Sequence, residues 1–425
     1  MPAATLLPHD HVLRRRNFRL LLAAQGVSFF GDYMVIVALA FAVLELGGAA
    51  PAVGFVLACM SVSRVASVLF GGVIADRVSR RAVMVAADCS RLVSQGLAAA
   101  LLLSGDAEVW MLAVLAAATG AATGLFVPAS TALLPDVVPP DQLQPANGLR
   151  ATANSVGQIF GPFAAGVIVA AASAGWAVAI DAATFAVSAA FLSRMRVGGR
   201  ATHSAGSFLT DLRDGWGAFR ARTWVWTCVA CAAVVNLLYG AWEVLGPVVA
   251  RNDLGGAAAW GTLLSAFGVG ALVGSLVATR IRPDRPLVFA VLAWSFFALP
   301  LAFLAAGVRV VPLAGATFLS GAGLILGGSV WESTLQRHLP PESLARVVSY
   351  DQFGSFAAYP LGLAVWGPVA TTIGISVSLW LAYSLFVGLL LALLAVPAVR
   401  DLPRVPEAAR APSPGGSVTD PGVGA

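Results

Sequence analysis

Five charged side chains stand inside apolar stretches, and their types suit proton or cation handling: Asp32, Arg64, Asp88, Arg91 and Glu243. Asp32 lies near the middle of a run from about Leu20 to Leu44, and Arg64 near the middle of the next, from about Pro51 to Ala75. A charge at mid-bilayer depth costs about 2.5–3.5 kcal/mol on insertion scales, so it is expected to face a partner or a water-filled path. A carboxylate in such a place can bind and release a proton, and a neighbouring guanidinium controls when it does so. Asp32 and Arg64 have opposite sign and similar depth on consecutive stretches. We therefore expect them to share a direct or water-bridged contact, with Asp32 as the titrating group. Asp88 and Arg91 are three residues apart and share a helix face. They pair with each other or with the loop below, as a brace or as part of a conformational switch. Glu243, near Tyr239 and Trp242, either lines a wet vestibule or recognises a cation. Asp32, Arg64, Arg91 and Glu243 are thus the candidates for a proton and substrate path, while Glu332 and Asp351 read as loop-proximal charges.

The elements that must hold these groups are membrane-spanning helices. The 425-residue chain is 58% hydrophobic and only 11% charged, with a mean hydropathy of +0.84. Soluble domains carry about 25% charged residues. All 26 basic residues are arginine. The absence of lysine excludes a P-loop ATPase and Schiff-base chemistry. No G-x-S-x-G or H-E-x-x-H occurs, so the chain lacks the parts of the common membrane hydrolases. Cys59, Cys89, Cys228 and Cys231 all fall in apolar runs and read as packing residues. His9, His11, His203 and His338 lie in polar segments, so no intramembrane histidine offers a metal ligand or relay. No cofactor or metal is expected, the arginines are not a nucleic-acid signal, and the expected state is a monomer. Arg14, Arg15 and Arg16 precede a first run long enough to span with no small-residue cleavage site, which argues against a cleaved signal peptide.

Twelve spans are predicted, near 18–46, 51–75, 82–104, 107–133, 147–171, 175–195, 224–250, 258–280, 286–306, 310–333, 347–371 and 374–397. With both termini in the cytoplasm, 22 of the 26 arginines fall in inner segments, as the positive-inside rule requires. Only Arg251 and Arg309 lie in outer loops. The chain also repeats itself at about half its length: LFGGVIADRVSRR from Leu69 recurs as LVGSLVATRIRPDR from Leu272, and VVPPDQL from Val137 as HLPPESL from His338. A duplicated six-span unit implies two bundles with a site between them near mid-membrane. The expected organisation is a cytoplasmic N-terminus (1–17), a first bundle (18–195), a linker (196–223), a second bundle (224–397) and a disordered tail (398–425). In the linker, Phe208, Leu212, Trp216 and Phe219 mark an amphipathic helix on the membrane surface.

Two motifs carry a resemblance. Residues 72–81 read G-V-I-A-D-R-V-S-R-R, with Gly72, Asp76, Arg77, Arg80 and Arg81 at the inner end of the second span. This resembles the G-x-x-x-D-R-x-G-R-R loop of the major facilitator superfamily, with Ser79 in place of the second glycine. In the fifth span, Gly148, Gly157, Gly161-Pro162 and Ala165-Gly166 resemble that family's antiporter pattern, with Ala165 replacing one glycine. GDYMVIVALA in span 1, Arg64, Asp88-x-x-Arg91, Phe126-x-Pro128-Ala129 and Asp181 extend the resemblance to the twelve-span drug- and siderophore-exporting branch, the branch of macrolide efflux proteins and the enterobactin exporter. The resemblance implies an all-α polytopic membrane protein of the major facilitator fold, with twelve helices in two six-helix bundles. It implies that the 72–81 loop locks the halves together on the inner side, and that the fifth span belongs to exporters. The helix-4 arginine of many drug exporters is missing; Arg64 or Arg91 is a possible replacement. The leading expectation is proton-coupled efflux of small amphipathic or antibiotic-like molecules across a bacterial cell membrane. Export of a siderophore or metabolite, nutrient import, and a polytopic sensor are the alternatives.

Overall fold

A computed structural model of the chain describes residues 12–197, 216–217 and 219–404; the side chains of residues 69–77, 341, 342 and 345 lie outside the description. Among the described residues there are helices and no strands, and twelve spans are long and apolar enough to cross a membrane. The first bundle comprises α1 (Arg16–Glu45), α2 (Ala50–Arg77), α3 (Arg80–Ser104), α4 (Val109–Val137), α5 (Leu143–Ala171) and α6 (Ala174–Ser193). The second comprises α7 (Thr223–Val249), α8 (Ala257–Ala278), α9 (Pro286–Ser295), α10 (Leu299–Ala305), α11 (Val310–His338), α12 (Pro341–Phe356), α13 (Tyr359–Ile373) and α14 (Ile375–Ala395). With an even number of spans, α1 begins on the side where α14 ends, called here the terminal side. The opposite side is the far side.

Two spans expected as single helices are each built from two. The ninth is α9 and α10 around a 3-10 turn at Phe296–Ala298, and the eleventh is α12 and α13 around residues 357–358. Pro300 and Pro360 explain both breaks. Each lacks an amide hydrogen, and its ring crowds the carbonyl four residues back, here Phe296 and Phe356. Spans four and ten instead run several residues beyond the expected ends, to Val137 and His338.

Small residues bring the helices together. A side chain at Gly120 of α4 would meet the backbone of Met60, and one at Gly124 the backbone of Arg64 and the side chain of Ser67, all on α2. In the second bundle, Gly270 and Gly274 of α8 lie against Phe318 and Ala322 of α11 in the same way. These are corresponding helices of the repeat, and close backbone approach through glycine is how membrane helices associate when burial from water offers no drive.

The two bundles meet along α5–α8 and α2–α13. The glycine contacts of these seams lie from mid-helix to the far side: Gly166 on Ala257, Ala258 and Gly261; Gly268 on Gln158; Gly54 on Leu363; Gly367 on Ala50 and Pro51. Pro162 leaves the Gln158 carbonyl without its helical donor, and it is this carbonyl that Gly268 covers. On the terminal side α12 packs on α7 of its own bundle. The close glycine contacts between the halves thus lie from mid-helix to the far side, and Arg64 on α2 is exposed beside this seam. Within the linker, Phe208 and Leu212 lie outside the described residues. Trp216 and Phe219 stack on each other at 5.6 Å and pack on Tyr350 of α12 at 5.6 and 5.7 Å; Phe219 is buried, while Trp216 keeps an exposed face. Of the tail, residues 405–425 lie outside the description.

Candidate functional site

The centre of the first bundle is a polar network built on α1, α3 and α6. Arg91 is fully buried, as are Asp88 and Asp181. Its guanidinium pairs with Asp88 one turn earlier and reaches Asp32 on α1 at 3.3 Å. Two aromatic faces hold it from either side, Phe126 of α4 at 4.4 Å and Phe185 of α6 at 4.3 Å. Cation–π contacts of this kind are strongest when desolvated. The second oxygen of Asp88 accepts from the Ser188 hydroxyl at 2.6 Å, and Asp181 accepts from the Gln95 amide at 2.7 Å. Asp32 itself is 31% exposed. It accepts a long 3.4 Å bond from Ser28, one turn back on its own helix. The network thus runs from a wholly enclosed core at Asp88 to a carboxylate that opens into the gap between the bundles.

Asp32 takes its cation from Arg91, not from Arg64 as the sequence suggested. Arg64 is exposed and makes no ion pair among the described residues. It interacts through space with Asp32 and Tyr33 of α1 and with Tyr359 of α13. Both arginines stand at the depth of Asp32; rotation about the helix axis decides which one meets it. Tyr33 in turn donates to Asn154 of α5 at 3.4 Å.

Across the gap, Glu243 of α7 is partly exposed and has neither a hydrogen bond nor an ion pair among the described residues. Tyr239 and Tyr359 lie within its electrostatic reach, and the Tyr239 ring stacks on Phe297 at 4.3 Å. Asp32, Tyr33 and Arg64 from the first bundle therefore face Tyr359, Glu243 and Tyr239 from the second. This belt of alternating charge and aromatic surface could hold a polar or cationic group beside a flat apolar one.

The 72–81 loop is placed only in part. Gly72, Asp76 and Arg77 lie on the last turns of α2, where side chains are outside the description. Ser79 caps α3 by accepting from the Ala82 amide at 3.3 Å. Arg80 donates to the Ala132 carbonyl at 2.8 Å and pairs with Asp136 at 2.9 Å; Arg81 donates to the carbonyls of Leu192 at 2.8 Å and of Ser193. Both arginines thus satisfy late carbonyls of α4 and α6, where cations are favoured by the helix dipole. These four contacts lie within the first bundle.

The α5 glycines divide by face. Gly157 lies on the Phe29 backbone and Gly161 on Phe30 and Tyr33, joining α5 to α1; Gly166 joins α5 to α8, and the Pro162 carbonyl meets Gly261. Gly148 faces open space, so the spacing alone did not separate contact glycines from a bystander. Sequence reading also missed Gln95, Ser188, Phe126, Phe185 and Tyr359 as parts of one site. One signal was present: Asp88, Arg91 and Gln95, and likewise Asp181, Thr184 and Ser188, recur at helical spacing on two spans. A further missed contact bridges the halves on the far side, where the Arg251 guanidinium donates to the Leu44 carbonyl at the end of α1.

Twelve spans in two repeated bundles, with buried charge facing a gap between them, define a membrane transporter. Residues 21–363 match the Major Facilitator Superfamily, and the chain belongs to that family. It is 24% identical over 396 residues to the uncharacterized MFS-type transporter YfiS of Bacillus subtilis (strain 168), covering 86% of this chain and 89% of the relative. It is 22% identical over 374 residues to macrolide efflux protein A of Streptococcus pyogenes, covering 85% and 91%. Among solved structures it resembles a peptide transporter, POT, with a TM-score of 0.74 at 14% identity, over 91% of this chain and 95% of that one; this likeness concerns the fold.

Proposed function

We propose that the protein is a proton-coupled exporter of small amphipathic molecules that carry a cationic group, with its termini and terminal-side opening in the cytoplasm. The observation that carries this reading is the Asp32–Arg91 pair, the point where a buried ion network opens into the gap. A proton arriving at Asp32 removes its attraction for Arg91. Arg91 stays in place because Asp88, Phe126 and Phe185 hold it. What changes is the hold of α3 on α1. Since α1 is seated on α5 through Gly157 and Gly161, and α5 on α8 through Gly166, protonation at Asp32 bears directly on the seam between the bundles. On the other side of the gap, Glu243 is a carboxyl with no ion pair among the described residues, which a substrate's cation would draw into its charged form, and Tyr239, Tyr359 and Phe297 supply flat surface for an apolar body. Positive charge on the inner loops supports the orientation. The fifth-span glycine pattern and the similarity to a macrolide efflux protein support export over import.

Everted membrane vesicles, whose cytoplasmic face points outward, test the reading. With an acidified lumen, wild-type vesicles should accumulate a cationic amphipathic dye. Asp32→Asn should abolish that accumulation while still binding the dye, and Glu243→Gln should weaken uptake of cationic dyes more than of neutral ones. Full gradient-driven accumulation by Asp32→Asn would reject proton coupling at this residue, and accumulation only in right-side-out vesicles would reject export.

A further inference from the structure

Three carboxyls of the first bundle share one guanidinium, and they are not equally provided for. Asp32 has Arg91, Ser28 and partial access to the gap. Asp88 has Arg91 and Ser188. Asp181 is fully buried; its Oδ2 accepts from Gln95, and its Oδ1 has no hydrogen bond of good geometry among the described residues, with the Thr184 hydroxyl as its nearest polar neighbour. Its charged neighbours are Asp32 on α1 and Arg91 on α3, with Asp88 beyond Arg91. On α5, Arg150 is engaged elsewhere, by Gln25 of α1 at 2.7 Å. Arg91 already balances two carboxylates, so an ionised Asp181 would be a third negative charge in an apolar core with no cation left for it. Buried groups in that position neutralise.

We infer that Asp181 holds a proton while Asp32 is paired with Arg91, and that it is a second proton-binding carboxyl of the transport cycle. The seat for that proton is visible. Asp181 Oδ1 and the Thr184 hydroxyl oxygen occupy one small space against Gly31 of α1, where a side chain at Gly31 would collide with both. The Thr184 hydroxyl gives its own hydrogen to the Asp181 carbonyl at 2.7 Å. Its lone pairs remain open toward that space, where a protonated Asp181 Oδ1 would turn to donate to them. Gly31 is the residue before Asp32, so any shift of α1 that follows protonation of Asp32 also uncovers Asp181. Its proton can then leave to water in the gap, and one returns from water when α1 reseats. The bundle would carry protons on two carboxyls placed either side of Arg91.

The cycling part of this inference rests on the proton-coupled reading above; the resting protonation does not, and the test separates them. Infrared difference spectroscopy of the reconstituted full chain should show the carbonyl stretch of a protonated carboxylic acid at neutral pH, absent in Asp181→Asn. Thr184→Val should keep that band but move it to higher wavenumber, as a carboxyl that has lost its acceptor does; this holds even if Asp181→Asn fails to fold. In vesicles, the slope of the logarithm of dye accumulation against the imposed pH difference should fall in Asp181→Asn from that of two protons to that of one. A band unmoved by both substitutions would overturn the resting proton. Loss of the band with an unchanged slope would overturn its cycling. If wild-type uptake ignores the pH gradient while the band behaves as expected, proton coupling fails and the resting proton stands.

Discussion

Replacing Arg91 with methionine tests whether the first bundle is held by this ion network or merely contains it. Met fills most of the volume and keeps contact with Phe126 and Phe185 through its polarizable sulfur. What it removes is the only ion-pair cation of Asp88 among the described residues, and Asp88 is wholly enclosed. Breaking a buried pair from one side costs about 3–5 kcal/mol, because the remaining charge is left uncompensated. Two cation–π contacts at 4.4 and 4.3 Å add about 1–2 kcal/mol together, of which the sulfur contacts return a part. Asp32 adds little, since at 31% exposure it can rehydrate in the gap. The expected loss is thus about 4 kcal/mol. Asp88→Asn in the same chain removes the stranded charge while still accepting from Ser188, so the double variant should recover to within about 1.5 kcal/mol of wild type. The assay is reversible unfolding in mixed micelles, followed by the fluorescence of the 11 tryptophans. A single variant within about 1 kcal/mol of wild type, or a double variant no better than the single, would refute the reasoning.

The α5 glycines give a graded series: Gly161→Ala and Gly157→Ala must push α1 away and should each cost about 1–3 kcal/mol, whereas Gly148→Ala, which faces open space, should be neutral in the same unfolding assay. Arg251→Ala removes the far-side tie to Leu44 and should raise the labelling rate of a cysteine placed at Ala258; an unchanged rate would show that the glycine seams alone keep this side shut. Arg64→Ala should leave stability within about 0.5 kcal/mol, as expected of an exposed site without an ion pair, yet tighten binding of a cationic dye measured by its fluorescence, because a like charge leaves the site; weaker binding would count against a cationic substrate there. Asp76→Asn should increase terminal-side cysteine accessibility if the 72–81 loop acts as an inner gate, and equal labelling in both proteins would remove that role.

How much of this was legible in the chain differs between depth and direction. Helix count, the repeat and the position of each charge along its span follow from hydropathy and from a fixed rise per residue, and the structure bears out the twelve-helix count. The breaks at Phe296–Ala298 and at residues 357–358 were also written in the sequence, as Pro300 and Pro360, though a hydropathy reading passes over them. The i, i+3 relation of Asp88 and Arg91 was readable because it is local to one helix.

The partner of Asp32 was not readable. Arg64 and Arg91 stand on different helices, and reading along the chain favoured Arg64, on the neighbouring span, for Asp32. Which one meets Asp32 depends on how α2 and α3 are rotated and on which of them lies beside α1. Those choices are made by close packing: α2 is drawn onto α4 by Gly120 and Gly124, which leaves Arg64 on the gap. Arg91 meanwhile is set between Phe126 and Phe185, from two other spans. The sequence by itself determined the membrane-spanning class, the duplicated architecture and the axial coordinate of each functional group, because those depend on composition and on the geometry of a single helix. Only the tertiary structure decided which groups share one site, because lateral contacts between helices arise from the shapes of several surfaces fitted together and have no counterpart in the order of residues along the chain.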